Sequence, residues 1–355
     1  MTNPDSDFLK YQAATSPYPL GMKVSFAKGS YIYDDKNKAY LDFVAGVSAC
    51  TLGHQHPKVT QALKDQLDKY AHVMVYGEYE QSPAVEFCKL LAQNLPAPLT
   101  KTYLVNSGTE AIEAALKLAK RVTGRTELVA FNGSYHGSTH GAMSVSANEI
   151  KKIAFRPLLP DVRFLVHNEI AELSQITTRT AGVIIETVQG DAGVRRPSVA
   201  FMQALRARCT EVGALLIFDE IQCGMGRTGT MFAFEQFGVV PDVLTLGKAL
   251  GGGMPIGALV AAQQHLNLFT HAPMLGHITT FGGHPMVCAA AAATVQVLRT
   301  EITGRAQREE VTAEVAVLGR RVDAVKDRVE VDGAPIGVRP DLVYYLLNKP
   351  VGVVT

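Results

Sequence analysis

The chain has 355 residues, 47% hydrophobic and 19% charged, which is enough apolar material for one large core or two smaller ones. Its 34 basic and 33 acidic residues leave a net charge of +1, so no global field calls for nucleic acid or an anionic membrane as partner. Five cysteines (Cys50, Cys88, Cys209, Cys223, Cys288) lie scattered without C-x-x-C spacing, which argues against a disulfide framework or zinc site and for a reducing compartment.

The opening MTNPDSDFLKYQ has no basic start followed by an apolar run, so no secretory signal is expected. No apolar stretch is long enough to span a bilayer, including the Ala-rich segment from Cys288. A cytoplasmic protein acting on a small molecule is the expectation. Along the chain, YIYDDKNKAYLDFV alternates apolar and polar residues around a polar turn and predicts a β-hairpin within an N-terminal segment, 1–55. Helical periodicity then appears in PKVTQALKDQLDKY, SPAVEFCKLLAQNL and AIEAALKLAKRV. Short, nearly all-apolar runs follow (LVAF, GVIIET, ALLIFDE, DVLTLGKAL), interleaved with helices such as AFMQALRARC. Such runs suit strands covered on both faces, so residues 56–302 are predicted as an α/β domain with a mostly parallel sheet and helices on both sides. Ligands of open α/β sheets gather at the carboxyl ends of the strands, and the polar residues ending these runs are the candidates for chemistry.

Three such places stand out. In NSGTEAIEAALKLAK, a strand (TYLV) leads through Asn106, Ser107, Gly108 and Thr109 into an amphipathic helix, and Ser107 and Glu110 have capping-box spacing. A helix N-terminus behind Gly and hydroxyl residues offers N–H groups and a dipole to a phosphate; it reads equally as a plain capped helix. Asp219 ends the run ALLIF, where an unpaired carboxylate is costly. It suits pairing with a protonated pyridine nitrogen, or a hydrogen-bonded structural role. Lys248 ends another apolar run, ahead of Gly251, Gly252 and Gly253. Partial desolvation there favours the neutral amine that attacks an aldehyde, against the alternative of a surface lysine beside a flexible loop. Phosphate cradle, pyridine partner and carbonyl-reactive lysine together point to pyridoxal 5'-phosphate.

The same residues carry a family resemblance. SGTEA, YHGSTHGA, IFDEIQCGMGRTG, LTLGKALGGGMPIGA and TTFGGHP, in this order, resemble the class III aminotransferases of fold type I, from about residue 18 to about 300. Within them the sequence looks most like the acetylornithine and ornithine aminotransferase branch, with glutamate-semialdehyde aminomutases as cousins. The resemblance implies that Lys248 forms the Schiff base with the cofactor and that Asp219 pairs with its pyridine nitrogen. It implies that Ser107, Gly108 and Thr109 bind the phosphate, Tyr135 stacks on the ring, Gln222 lies near the phenolic oxygen, and Glu186 completes the cofactor site. Thr280 would reach the phosphate of a neighbouring subunit, hence a homodimer with shared active sites. The implied reaction moves an amino group from a small-molecule donor to a 2-oxo acid acceptor. An aminomutase, or a cofactor-binding remnant without turnover, are the alternatives.

Other signals carry less. Gly224, Gly226 and Gly229 form a G-x-G-x-x-G, but GTMFAFEQFG after them is poor helix sequence for a dinucleotide site. His136 and His140 have i, i+4 spacing without an intervening glutamate, so no metal site is predicted. The GK of LTLGKAL lacks the rest of a P-loop.

The likeness has gaps. Ser138 stands where the family often carries an arginine usable against a substrate carboxylate. In ETVQGDAGV, Thr187 replaces a usual proline and Asp191 a common glutamate. After about residue 302 the expected small C-terminal domain gives way to a tail, 303–355, leaving that domain incomplete. VAVLGRRVDAVKDRVEVDG and VYYLLNKPVGVVT instead resemble the start of a bacterial ribosomal pseudouridine synthase, consistent with a fusion or truncation or with a divergent domain. The tail's eight basic and eight acidic residues lack the electrostatic footprint expected for RNA.

Overall fold

The computed structural model describes residues 7–308 and, beyond them, only four short strands, Arg320–Val322 paired with Tyr344–Leu346 and Glu330–Val331 paired with Ala334–Pro335. Most of the tail assigned from sequence, 303–355, therefore lies outside the described residues.

The predicted hairpin forms between β2 (Tyr31–Asp34) and β3 (Ala39–Leu41). Asp34 sets its turn, its Oδ1 accepting from the N–H groups of Lys36 and Lys38. A preceding strand, β1 (Val24–Lys28), extends it to a three-stranded antiparallel sheet.

The main sheet has seven strands: β4 (Lys101–Val105), β5 (Glu127–Phe131), β6 (Val162–Leu165), β7 (Thr180–Glu186), β8 (Leu215–Asp219), β9 (Val243–Leu246) and β10 (Gly257–Ala261). Their spatial order is β4-β10-β9-β8-β7-β5-β6. Pairing is parallel from β9 through β8, β7 and β5 to β6, while β10 runs antiparallel to both neighbours. Side chains alternate between two cores, as the two-residue period of a strand requires. Phe131, Val183, Ile185, Leu216, Phe218 and Leu244 face one core, together with the Val199–Val212 helix and the start of the Pro285–Arg308 helix. Leu128, Ala130, Ile184, Leu215, Ile217 and Val243 face the other, covered by the Gly108–Thr123 helix. The continuous apolar runs are thus explained by burial on both faces.

Parallel register decides where the chemistry falls. Glu186 pairs with Asp219, and Asp219 with Thr245, so the carboxyl ends of β7, β8 and β9 lie level. Two carboxylates and, three residues past Thr245, Lys248 meet at one edge.

Candidate active site

At that edge a cavity of about 220 Å³ is lined by residues including Gly108, Thr109, Tyr135, Ser138, Glu186, Asp219, Gln222 and Lys248. Seven of the nine residues singled out from the sequence line it. The other two sit differently. Ser107 lies just outside, capping the Gly108–Thr123 helix by accepting from the Glu110 N–H at 3.3 Å. The second arm of the predicted capping box moves by one residue, because Glu110 Oε2 takes the N–H of Asn106 instead of that of Ser107. Thr280 is exposed and absent from the lining.

Lys248 follows β9 with φ of +43°, in the left-handed region that a side-chain-bearing residue enters at a cost of roughly 1–2 kcal/mol. Backbone strain of this kind clusters at functional sites. It turns the partly buried lysine back across the strand ends, where it lines the cavity. Packing beneath is tight. A Cβ on Gly108 would lie 2.7 Å from Ile221 Cγ2, and one on Gly247 would lie 3.2 Å from the same atom and from Gly108 Cα. The helix N-terminus and the lysine turn can approach this closely because both positions are glycine.

Asp219 is 4% exposed, and both its oxygens are held. Oδ1 accepts from the Ile221 N–H at 3.0 Å, and Oδ2 lies 2.7 Å from His136 Nδ1. His136 is itself 2% exposed; its backbone N–H donates to Ser146 Oγ, and its ring Nε2 is buried without a partner. Sequence reasoning weighed His136 only against His140 as a metal ligand. The informative signal is its place beside Tyr135 in the YHG motif. Glu186 accepts from the N–H groups of Tyr135 at 3.1 Å and Gly190 at 3.3 Å. Burial pushes its carboxyl up to about 7; His136 opposes this and the charge of Asp219 adds to it. A second network sits beside the helix N-terminus. Thr109 Oγ1 and Thr139 Oγ1 are 2.8 Å apart, and Thr139 in turn donates to Glu113.

These residues fit pyridoxal 5'-phosphate by their own chemistry. Gly108 and Thr109 at the helix N-terminus offer phosphate a dipole and close backbone approach. Tyr135 presents an aromatic ring, and Asp219 a carboxylate whose Oδ2 is held by His136. Lys248 supplies a primary amine to the same space. The glycine-rich Gly224–Gly229 stretch forms turns with no helix starting inside it, so it lacks the geometry of a dinucleotide site.

Comparison with known proteins agrees. Residues 11–332 match the family described as Aminotransferase class-III, leaving only 333–355, with the YYLLNKPVGVVT segment, beyond the match on that side. The chain is 40% identical over 301 residues to the acetylornithine aminotransferase of Methanopyrus kandleri, covering 84% of this chain and 76% of the relative. It is 38% identical over 281 residues to the [LysW]-aminoadipate semialdehyde/glutamate semialdehyde transaminase of Sulfolobus acidocaldarius, covering 79% and 71%. Among solved structures, the ornithine aminotransferase of Toxoplasma gondii superposes with a TM-score of 0.77 at 29% identity, covering 87% of this chain and 73% of that one. An omega-transaminase of Thermomicrobium roseum gives 0.78 at 26% identity, covering 83% and 74%. The chain therefore belongs to the class III aminotransferases and is a pyridoxal-phosphate-dependent transferase of fold type I.

Proposed function

We propose that this chain transfers an amino group from an amino acid or ω-amine of the acetylornithine or ornithine type to a 2-oxo acid, in a ping-pong cycle run from the cavity at the strand ends. The observation that carries the reading is the convergence of Lys248, Asp219, Glu186 and Tyr135 with the N-terminus of the Gly108–Thr123 helix on one cavity. The cofactor, when bound, supplies an electron sink for the pair left on the donor's Cα as its proton departs.

The chain's residues do the rest. Lys248 would hold the cofactor through its ε-amine, and that same amine would serve as general base for the donor's Cα proton. Asp219 keeps the pyridine nitrogen protonated, and the His136 contact fixes the orientation of its carboxylate. Gly108 and Thr109 hold the phosphate, with Ser107 fixing the helix start that presents them. Tyr135 would stack on the ring and Gln222 would lie by the phenolic oxygen, while Glu186 holds the Tyr135 backbone in place.

We place Thr280 at the phosphate of a second copy, in a homodimer. Its neighbours Ile278 and Phe281 are 46% and 54% exposed, and with Met274, Leu275, Tyr76 and Tyr79 they leave an apolar surface that association would cover. The division into an N-terminal segment 1–55, a large domain 56–302 and a tail 303–355 belongs to the same proposal, as does a cytoplasmic location. Among the described residues no helix is long and apolar enough to cross a membrane.

The test is a panel of amino donors with a 2-oxo acid acceptor, followed by the change in cofactor absorbance on adding donor alone. The proposal expects a half-reaction with donor alone and turnover only when the acceptor is present. Turnover without acceptor would make the enzyme an aminomutase, and cofactor binding without any half-reaction would make it a remnant; either result contradicts the proposal.

A further inference from the structure

The cavity itself offers a carboxylate-bearing substrate little. Its lining brings two carboxylates, Glu186 and Asp219, against one amine, Lys248, which the cofactor occupies under the function proposed above. Ser138, at the position where the resemblance leads one to look for an arginine, carries no charge, and its Oγ lies 3.1 Å from Tyr135 Oη. A substrate carboxylate entering here needs a cation from elsewhere.

One stands at the rim. Lys151 Nζ lies over the Tyr135 ring, 5.3 Å from its centroid, and pairs with Asp191 Oδ2 at 2.8 Å. The two side chains are 55% and 49% exposed, so water already reaches both. Ion pairs this exposed contribute little to folding, and exchanging one carboxylate for another across such a lysine costs little. Lys152, next along the chain, is committed instead: it is buried, donates to Ser146 O and pairs with Glu149. Asp191 is tied to the cavity wall through Gly190, whose N–H donates to Glu186. A Cβ at Gly190 would come within 2.2 Å of Gln222 Oε1, so this strand of wall is fitted closely around a lining residue. Both members of the pair are thus one step from the lining, Lys151 through the Tyr135 ring and Asp191 through Gly190.

We propose that Lys151 is the specificity-determining cation of this enzyme, receiving a carboxylate of the amino donor or 2-oxo acid, with Asp191 as the resident counter-ion that the substrate displaces. The proposal rests on the catalytic reading above and deepens it by naming the residue that recognises the substrate carboxylate. It selects substrates that carry a carboxylate able to reach the rim over Tyr135, at the expense of simple amines. Tyr135 serves both ends, its ring facing the cavity and supporting the ammonium.

The experiment compares the parent enzyme with Lys151→Met, Lys151→Arg and Asp191→Asn, each loaded with cofactor. Two donors of matched length are used, one with a carboxylate and one without, and binding of a five-carbon dicarboxylate is measured by calorimetry, independently of turnover. Lys151→Met should raise KM for the carboxylate-bearing donor, and the dissociation constant of the dicarboxylate, by about two- to fivefold, leaving kcat and the plain amine unchanged. Lys151→Arg should restore most of the loss, and Asp191→Asn should tighten dicarboxylate binding. Equal effects on both donors, or no effect of Lys151→Met on dicarboxylate binding, would overturn the proposal. Loss of cofactor absorbance in the parent protein would fault the catalytic reading instead, and the dicarboxylate measurement would still decide the role of Lys151.

Discussion

Gly108→Ala tests the packing on which the site is built. The added methyl carbon would stand 2.7 Å from Ile221 Cγ2, 2.8 Å from Cδ1 and 3.1 Å from Cγ1. Contact between carbons is comfortable only near 3.5–4.0 Å, so Ile221 must retreat by about 1 Å. Its freedom to do so is limited, because its backbone N–H donates to Asp219 Oδ1 and its Cγ2 packs under Gly247, next to Lys248. Overpacking of this kind costs about 1–3 kcal/mol. Replacing glycine inside a helix returns at most about 1 kcal/mol, and less at the first helical position, so the steric term wins. Thermal unfolding should fall by roughly 2–4 °C per kcal/mol lost, and the dissociation constant of the cofactor should rise about tenfold. Ile221→Ala should weaken the protein alone yet relieve Gly108→Ala in the double variant, with a coupling of about 1 kcal/mol or more. A Gly108→Ala protein indistinguishable from its parent, or a cycle with no coupling, would refute the reasoning.

Other expectations follow from buried groups. Glu220 is 1% exposed and accepts from the N–H groups of Ala233 and Phe234 and from the Thr187 hydroxyl; burial nevertheless pushes its carboxyl up to about 8. Because the folded carboxyl holds its proton more tightly than the unfolded one, stability should fall as pH rises from about 4.5 towards 8, by a few kcal/mol and at most about 5. Glu220→Gln should flatten that decline in denaturant titrations at several pH values; an unchanged slope would show that Glu220 is ionised throughout. His136→Phe keeps the ring volume but removes the 2.7 Å contact to Asp219 Oδ2, and should lower stability by about 1–3 kcal/mol and weaken cofactor binding. His136→Gln, which retains a donor, should recover part of both; equal losses in the two variants would leave the hydrogen bond without a role.

Much of this architecture was legible in the sequence because it rests on local chemistry. The runs GVIIET and ALLIFDE read as strands because both faces of β7 and β8 are buried, and the first polar residue after each run falls at the sheet's carboxyl edge. Ser107 read as a cap because its hydroxyl serves a residue three positions away. Features that depend on distant partners were not legible. β6, with the sequence VRFL, lies at the sheet edge with only Leu165 buried, so its arginine broke the apolar pattern. β10 is hidden at the end of a glycine-rich motif, and its antiparallel direction is set by where the chain returns between β9 and β4. His136 meets Asp219 across 83 residues, and Lys151 meets Asp191 across 40; no periodicity marks such pairs. Asn106 in place of Ser107 as the partner of the Glu110 carboxylate is a choice of one residue made by the turn before the helix.

The central claim is that Lys248 is the amine that holds the cofactor. It is tested most directly by loading the protein with pyridoxal 5'-phosphate, reducing it with borohydride, and locating the modified lysine by peptide mass spectrometry. The account predicts a single adduct on the peptide containing Lys248, and none in Lys248→Ala. An adduct on Lys151, Lys152 or any other lysine of the parent protein, with Lys248 unmodified, would contradict it.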